Sequence, residues 1–204
     1  NDTMEGGAGT DVFDGGAGND TVSYAHAYQR VFAYLDQSTN ESGTAAQHDF
    51  YISIENLTGS AYSDYLEGDN GNNVLRGGGA NDGNGGDVLR GMGGADTFVL
   101  DSYSPTRPVP VTVKDFVAGV DSLALDHAVF GLSGTGSLAS QGVSFELGTT
   151  ASTVGKTVLY DASTGTIRFD MDGSGAINSV IIAQIGAAPS VASKISLPSR
   201  STGS

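Results

Sequence analysis

Asp11 and Asp20 each close a hexapeptide in which glycine fills the first, second and fourth places, Gly6-Gly7-Ala8-Gly9-Thr10-Asp11 and Gly15-Gly16-Ala17-Gly18-Asn19-Asp20. The two carboxylates stand nine residues apart, and Asp2 precedes Asp11 by the same interval. Glycine admits positive φ and tight turns, so such a run can aim successive main-chain carbonyls inward. Carbonyl and carboxylate oxygens at adjustable distances are the donor set of a hard divalent cation such as Ca²⁺. A second series restores the spacing with Asp64, Asn73 and Asp82; after a slip of five residues the register resumes at Asp87 and Asp96. Asn84 falls where the repeat of Asp82 requires an apolar residue, so a bulged loop is expected over 77–86, with either Asp82 or Asp87 opposite Asp64. Asn73 offers a neutral oxygen where the pattern has a charge, so its site should bind more weakly.

The elements that must position these groups are short. The eighth residue of each nonapeptide is apolar, at Phe13, Val22, Leu66, Leu75, Leu89 and Phe98. Three extended residues with the middle one inward make a minimal strand. Two repeats complete one coil, residues eighteen apart stack, and one ion can sit between stacked turns. The expected fold is all-β, a right-handed parallel β-roll over residues 1–98 with a C-terminal β-rich cap over 99–188 and a flexible tail over 189–204. At about 24–58 the glycine pattern lapses, while the apolar alternations Val31–Leu35 and Phe50–Ile54 continue. These read as coils without ion turns joined by a polar loop, with a small inserted subdomain as the competing reading. The cap carries apolar segments at Val109–Val113, Leu123–Leu125, Val143–Leu147, Thr157–Tyr160, Thr166–Phe169 and Val180–Ile185, with a hairpin around Ala162-Ser163-Thr164-Gly165. The open end of a roll exposes strand edges and needs such a cover.

The 204 residues contain 23 Asp and Glu against 9 Lys and Arg, for a net charge of −14. That balance disfavours nucleic acid and other polyanions as partners. Two carboxylates about 4 Å apart repel by about 4 kcal/mol at an effective dielectric of 20, so stacked turns require cations. The 31 glycines would suit disorder, but 38% hydrophobic residues supply a core. With no cysteine there is no disulfide, thiolate metal site or cysteine nucleophile. No apolar run reaches the ~18 residues of a membrane span. Asn1–Glu5 reads as the second half of another nonapeptide, with Met4 at the apolar place, so the natural chain is expected to extend upstream.

Together the two glycine hexapeptides, the stretch Ile54-Glu55-Asn56-Leu57-Thr58-Gly59-Ser60-Ala61 and Gly71-Asn72-Asn73-Val74-Leu75-Arg76-Gly77-Gly78 resemble bacterial RTX proteins exported by type I secretion. Val113–Asp121 and Tyr160–Gly165 resemble their C-terminal region. The resemblance implies several Ca²⁺ ions. Each would be held by the second- and fourth-position carbonyls and Asp of one turn, with the first- and third-position carbonyls and Asp of the turn stacked on it. Carried onto this chain, Asp2 pairs with Gly15, Ala17 and Asp20. Ser60, Tyr62 and Asp64 face Gly77, Gly79 and Asp82, or the shifted Asp87. Asp69, Gly71 and Asn73 face Gly91, Gly93 and Asp96. Asp11, with the carbonyls of Gly7 and Gly9, lacks a partner near residue 29. The resemblance further implies an extracellular protein that meets type I secretion machinery and folds on Ca²⁺ outside the cell. Ile195-Ser196-Leu197 is a poor version of the short apolar terminal signal such proteins carry.

Catalysis is not expected of these residues. His26, His48 and His127 are scattered without a His-Glu-x-x-His pair, and no Gly-x-Ser-x-Gly elbow occurs. Asp170-Met171-Asp172-Gly173-Ser174-Gly175 hints at an ion loop but lacks the later ligands of an EF-hand and reads as a turn. Asp115 and Asp121 read either as a cap ion site or as loop hydrogen-bond acceptors. Tyr24, Tyr28, Tyr34, Tyr51, Tyr62 and Tyr65 could line a glycan-binding face or pack between strands. Besides a folding and secretion module, the chain can be read as the C-terminal part of a secreted protease, lipase or polysaccharide-modifying enzyme. A calcium-rigidified adhesin or S-layer-like stalk at a cell surface is the third reading.

Overall fold

The computed structural model describes residues 1–36, 48–80, 83–102, 106–133, 136–175, 177–185 and 195–197. Its strands are two to five residues long, and most follow from one local rule: an inward apolar residue flanked by two outward ones, closed at each end by a turn. The first sheet runs β1 (Thr3–Met4), β3 (Thr21–Ser23), β6 (Asn56–Thr58), β8 (Val74–Arg76), β10 (Thr97–Leu100) and β12 (Ser122–Leu125), all parallel neighbours. It continues into β18 (Ile195–Leu197), parallel to β12, and ends at β13 (Gly136–Ser137), antiparallel to β18. The rest of the tail expected at 189–204 lies outside the described residues.

The second sheet stacks β4 (Phe32–Tyr34), β7 (Tyr65–Glu67), β9 (Val88–Arg90) and β11 (Val111–Val113) in parallel. Beyond β11 come β17 (Val180–Gln184), β16 (Thr166–Asp170), β15 (Thr157–Asp161) and β14 (Ser144–Leu147). β2 (Val12–Asp14) pairs with β5 (Phe50–Ile52) in a separate two-stranded sheet. The interrupted stretch therefore contributes strands on both sides: β4 extends the second sheet at β7, while β5 lies along β2. The polar loop expected at 37–47 lies outside the described residues.

Register aligns the middle residues of successive coils. In the first sheet Met4, Val22, Leu57, Leu75, Phe98 and Leu123 lie opposite one another in turn; in the second, Ala33, Leu66, Leu89 and Val113 do. Both columns pack into one buried cluster, with half-buried Met4 against its end, capped by Phe130 of the turn after β12 and by Val158, Tyr160, Ile167, Phe169 and Ile182 of the C-terminal strands. This is the architecture of a parallel β-roll whose last coils merge with a β-rich cap. The β15–β16 hairpin turns through Gly165 at φ 72°, with the Asp161 carboxylate taking the Ser163 N–H at 3.0 Å.

Leu66 is fully buried between Ala33 and Leu89. Replacement by alanine removes contacts on both sides along the column, so Leu66→Ala should cost about 3 kcal/mol in denaturant titrations of the calcium-loaded protein. A cost under about 1 kcal/mol would show that the column is not close-packed.

Candidate metal centre between stacked turns

Every strand of the roll is entered from a residue two places before its inward apolar one, and on the first edge of the roll these residues are Asp2, Asp20, Glu55, Asn73, Asp96 and Asp121. Their main chains and side chains interlock. The Asp2 N–H donates to Asp20 Oδ1 at 2.5 Å, and the Asp20 N–H to Glu55 Oε2 at 2.7 Å. The Asn73 N–H donates to Asp96 Oδ1 at 2.9 Å, and the Asp96 N–H to Asp121 Oδ1 at 3.0 Å. On the second edge the Asp11 N–H reaches Asp49 Oδ1 at 2.8 Å, the Val31 N–H reaches Asp64 Oδ1 at 2.6 Å, and the Asp64 N–H reaches Asp87 Oδ1 at 3.0 Å. Each carboxylate thus spends one oxygen on the preceding coil.

The glycines of the turns answer two separate demands. Those in second and fourth place, such as Gly7 at φ 88° and Gly9 at φ 123°, take a backbone conformation that side chains disfavour. Those in first place have ordinary φ but no room: a Cβ on Gly59 would lie 2.5 Å from Asp64 Oδ2, on Gly77 2.1 Å from Asp87 Oδ2, and on Gly91 2.1 Å from Asp96 Oδ2. The carboxylate is folded back over its own turn. Met92 occupies a second place at φ 69°, the one non-glycine of the described turns held there at that position.

Burial then leaves oxygens without partners. Asp11 Oδ2, Asp20 Oδ2 and Asp87 Oδ2 are shielded from solvent and accept no hydrogen bond. An unpaired buried carboxylate oxygen is costly, and a cation is the group that would satisfy it. Burial and the neighbouring charges of Asp64 and Asp101 push the Asp87 carboxyl up to about 7. Burial, with Asp121, Asp115 and Asp69 nearby, pushes Asp96 up to about 6. Among the described residues no three acidic or histidine side chains converge on one point, so any ion here would draw most of its ligands from main-chain carbonyls. The donor set fits Ca²⁺: two carboxylates of successive coils, with facing turns close enough that a Cβ on Gly78 would lie 2.2 Å from the Ser60 carbonyl oxygen.

The expected site residues are placed as follows. Asp2 meets Asp20, and the Gly15–Asp20 turn is stacked between the first residues and Ser53–Glu55, with the Gly15 N–H on the Ile52 carbonyl and Ala17 exposed. Ser60 is buried under Asp64, giving its N–H to Asp64 Oδ2 at 2.5 Å, and Tyr62 caps back onto the Ser60 hydroxyl. Asp87 stands opposite Asp64, while Asp82 lies outside the described residues. Gly77 and Gly79 flank this pair, since the Gly79 N–H also reaches Asp87. Asn73 faces Asp96, but its amide is already engaged: Oδ1 takes the Asp69 N–H at 2.9 Å and Nδ2 gives to the Glu55 carbonyl at 2.8 Å. The Gly93 N–H bonds the Asp69 carbonyl at 3.1 Å, and a Cβ on Gly94 would lie 2.1 Å from the Gly71 carbonyl oxygen, so the two turns are in contact. Gly7 and Gly9 have open space beside them.

Asp49 and Glu55 were not among the expected ligands, and Asp121 was expected either as part of a cap ion site or as a loop acceptor. Asp49 supplies the partner that Asp11 lacked, fully buried and also accepting from the Tyr24 hydroxyl at 2.7 Å. The signal that would have found all three is the acid two places before an inward apolar residue, at Tyr51, Leu57 and Leu123, with no glycine run required. Asp115 and Asp121 act as acceptors in loops, Asp115 taking the Gly91 and Met92 N–H groups at 2.9 Å each and Asp121 the Val117 N–H at 2.7 Å. Asp170 Oδ1 accepts from Asp172 and Gly173 N–H groups, which closes that segment as a turn.

One turn supplies substitutions of opposite sign. Gly91→Ala must displace Asp96 and should cost about 2 kcal/mol of calcium-dependent stability, whereas Met92→Gly relieves positive φ and should add about 1 kcal/mol. Thermal melts of both variants in calcium check this, and effects of the same sign would contradict the turn geometry.

Residues 1–23, 53–83 and 82–102 match the RTX calcium-binding nonapeptide repeat, in four copies. No curated protein matches the chain.

Proposed function

The chain carries the calcium-binding repeats of RTX proteins, and from that premise we propose that it is a non-catalytic module which stays open where calcium is scarce and folds on Ca²⁺ once exported. Export by type I machinery and an extracellular location belong to this reading, as does service to a larger secreted protein. The observation that carries it is the set of buried, partnerless oxygens on Asp11, Asp20 and Asp87, stacked along the turns of a chain with net charge −14. Bound Ca²⁺ would supply the positive charge and the coordination these oxygens lack. Asp64 and Asp87 would hold one ion across two coils, Asp2 and Asp20 another, and Asp96 a third with Asn73. Asp11 would pair with Asp49.

Because the ligands come from turns far apart in the open chain, they are gathered only when the coils stack. Binding free energy therefore becomes folding free energy. Each site adds about 2.7 kcal/mol at a hundredfold excess of ion over its Kd. Several sites sharing coils should make the transition steep. Far-ultraviolet circular dichroism across a calcium titration should pass from a largely unordered to a β-rich spectrum with a Hill coefficient above 1. A spectrum unaltered by chelator would falsify the reading.

Acid should oppose the ion. Asp87 and Asp96 bind protons more readily in the folded, ion-free roll than in the unfolded chain, because burial raises both carboxyls. The ion-free roll thus gains stability as pH falls from about 7 towards 4, while the same protons compete with calcium. The calcium concentration at half-folding should rise at least about tenfold between pH 8 and pH 5.5. An equal midpoint at both values would remove Asp87 and Asp96 from the ligand set.

A further inference from the structure

The turn after β10 begins with Asp101, in the place that glycine holds in the repeats. Its side chain is 3% exposed. Oδ2 accepts the Gly78 N–H at 2.9 Å and lies 3.5 Å from the Arg76 guanidinium, but Oδ1 is buried with no partner. One coil back, Asp87 is fully buried and its Oδ2 is likewise without a partner. The two carboxylates grip one turn from two sides. Asp87 Oδ2 sits where a Cβ on Gly77 would be, at 2.1 Å, and Asp101 holds the N–H of the next residue, Gly78. The Asp101 charge is near enough to contribute to the raised proton affinity of Asp87.

No nonapeptide follows to complete a site above Asp87: the residue two places before the inward Val113 of β11 is Val111, which has no carboxylate. We infer that Asp101 takes that role from the second place of the turn, in register with Gly78, so that Asp87 Oδ2 and Asp101 Oδ1 together bind one further divalent cation at the junction of roll and cap. This assignment rests on the calcium-binding reading above. Charge counting agrees with it. Arg76 also bonds Asp126 Oδ2 at 2.8 Å, so one guanidinium faces two carboxylates and leaves net negative charge beside Asp87 for a cation to offset. A carboxylate whose sole task was to pair with Arg76 would have no reason to bury a second oxygen unpaired beside Asp87.

Equilibrium dialysis with radioactive calcium, on the full chain, counts the ions. Asp101→Asn keeps the shape and the acceptor for Gly78 but removes the charge, and should bind one equivalent fewer than the wild type. Arg76→Gln removes the competing cation and should keep the wild-type count while tightening one site roughly fivefold at low ionic strength. An Asp101→Asn protein with the full count overturns the junction site alone; a wild type that binds no calcium overturns the proposed function as well. Should Asp101→Asn fail to fold in calcium, Arg76→Gln decides: one tightened site supports the junction ion, and unchanged affinities overturn it.

Discussion

The structure depends on carboxylates that a column of short strands forces together. A coil of this roll offers two strands of about three residues, each with one inward side chain, so a single coil buries too little to be stable alone. Stacking solves the apolar problem, since Leu57, Leu75, Phe98 and Leu123 follow one another without a gap. The same stacking brings the acids that enter those strands into line, one per coil on each edge. Apolar gain and electrostatic cost therefore come from the same register and cannot be separated by slipping it, because a one-residue slip would turn every inward side chain outward.

Main-chain N–H groups meet half of that cost. Each carboxylate accepts from the coil before it, as Asp20 does from Asp2 and Asp87 from Asp64, and this fixes the side chain over its own glycine turn. A second oxygen then remains, buried and unsatisfied on Asp11, Asp20 and Asp87. Asn73 is the informative contrast. Its amide carries a donor as well as an acceptor, so it closes its hydrogen bonds within the protein through Asp69 and Glu55 and leaves less for an ion to do. Towards the cap, arginine enters the ladder: Arg76 lies against Asp101 and Asp126, and Arg90 against Glu67 and Asp115.

Much of this could be read from residue order because the repeat is local. Nonapeptide spacing dictates which residue turns inward, and Val22, Leu66, Leu75, Leu89 and Phe98 are all fully buried. What stayed hidden was non-local. Asp49 partners Asp11 from 38 residues away, across an interruption whose length carries no periodicity. Asp101 stands where the pattern demands glycine, so a search for the motif passes over it. The cap also departs from chain order: β17 joins β11 in parallel after the chain has formed β16 antiparallel to it, and β18 returns to extend the first sheet at β12. Those pairings are settled by which edge is open and what apolar surface covers it, and neither is encoded in a nine-residue window.

The most direct measurement is a crystal structure grown in calcium, with anomalous difference density recorded at a wavelength where calcium scatters. A peak between the turns 59–64 and 77–87, within coordination distance of Asp64 or Asp87, is the predicted result. Carboxylates pointing apart into solvent with no peak between the coils would contradict the account at its base.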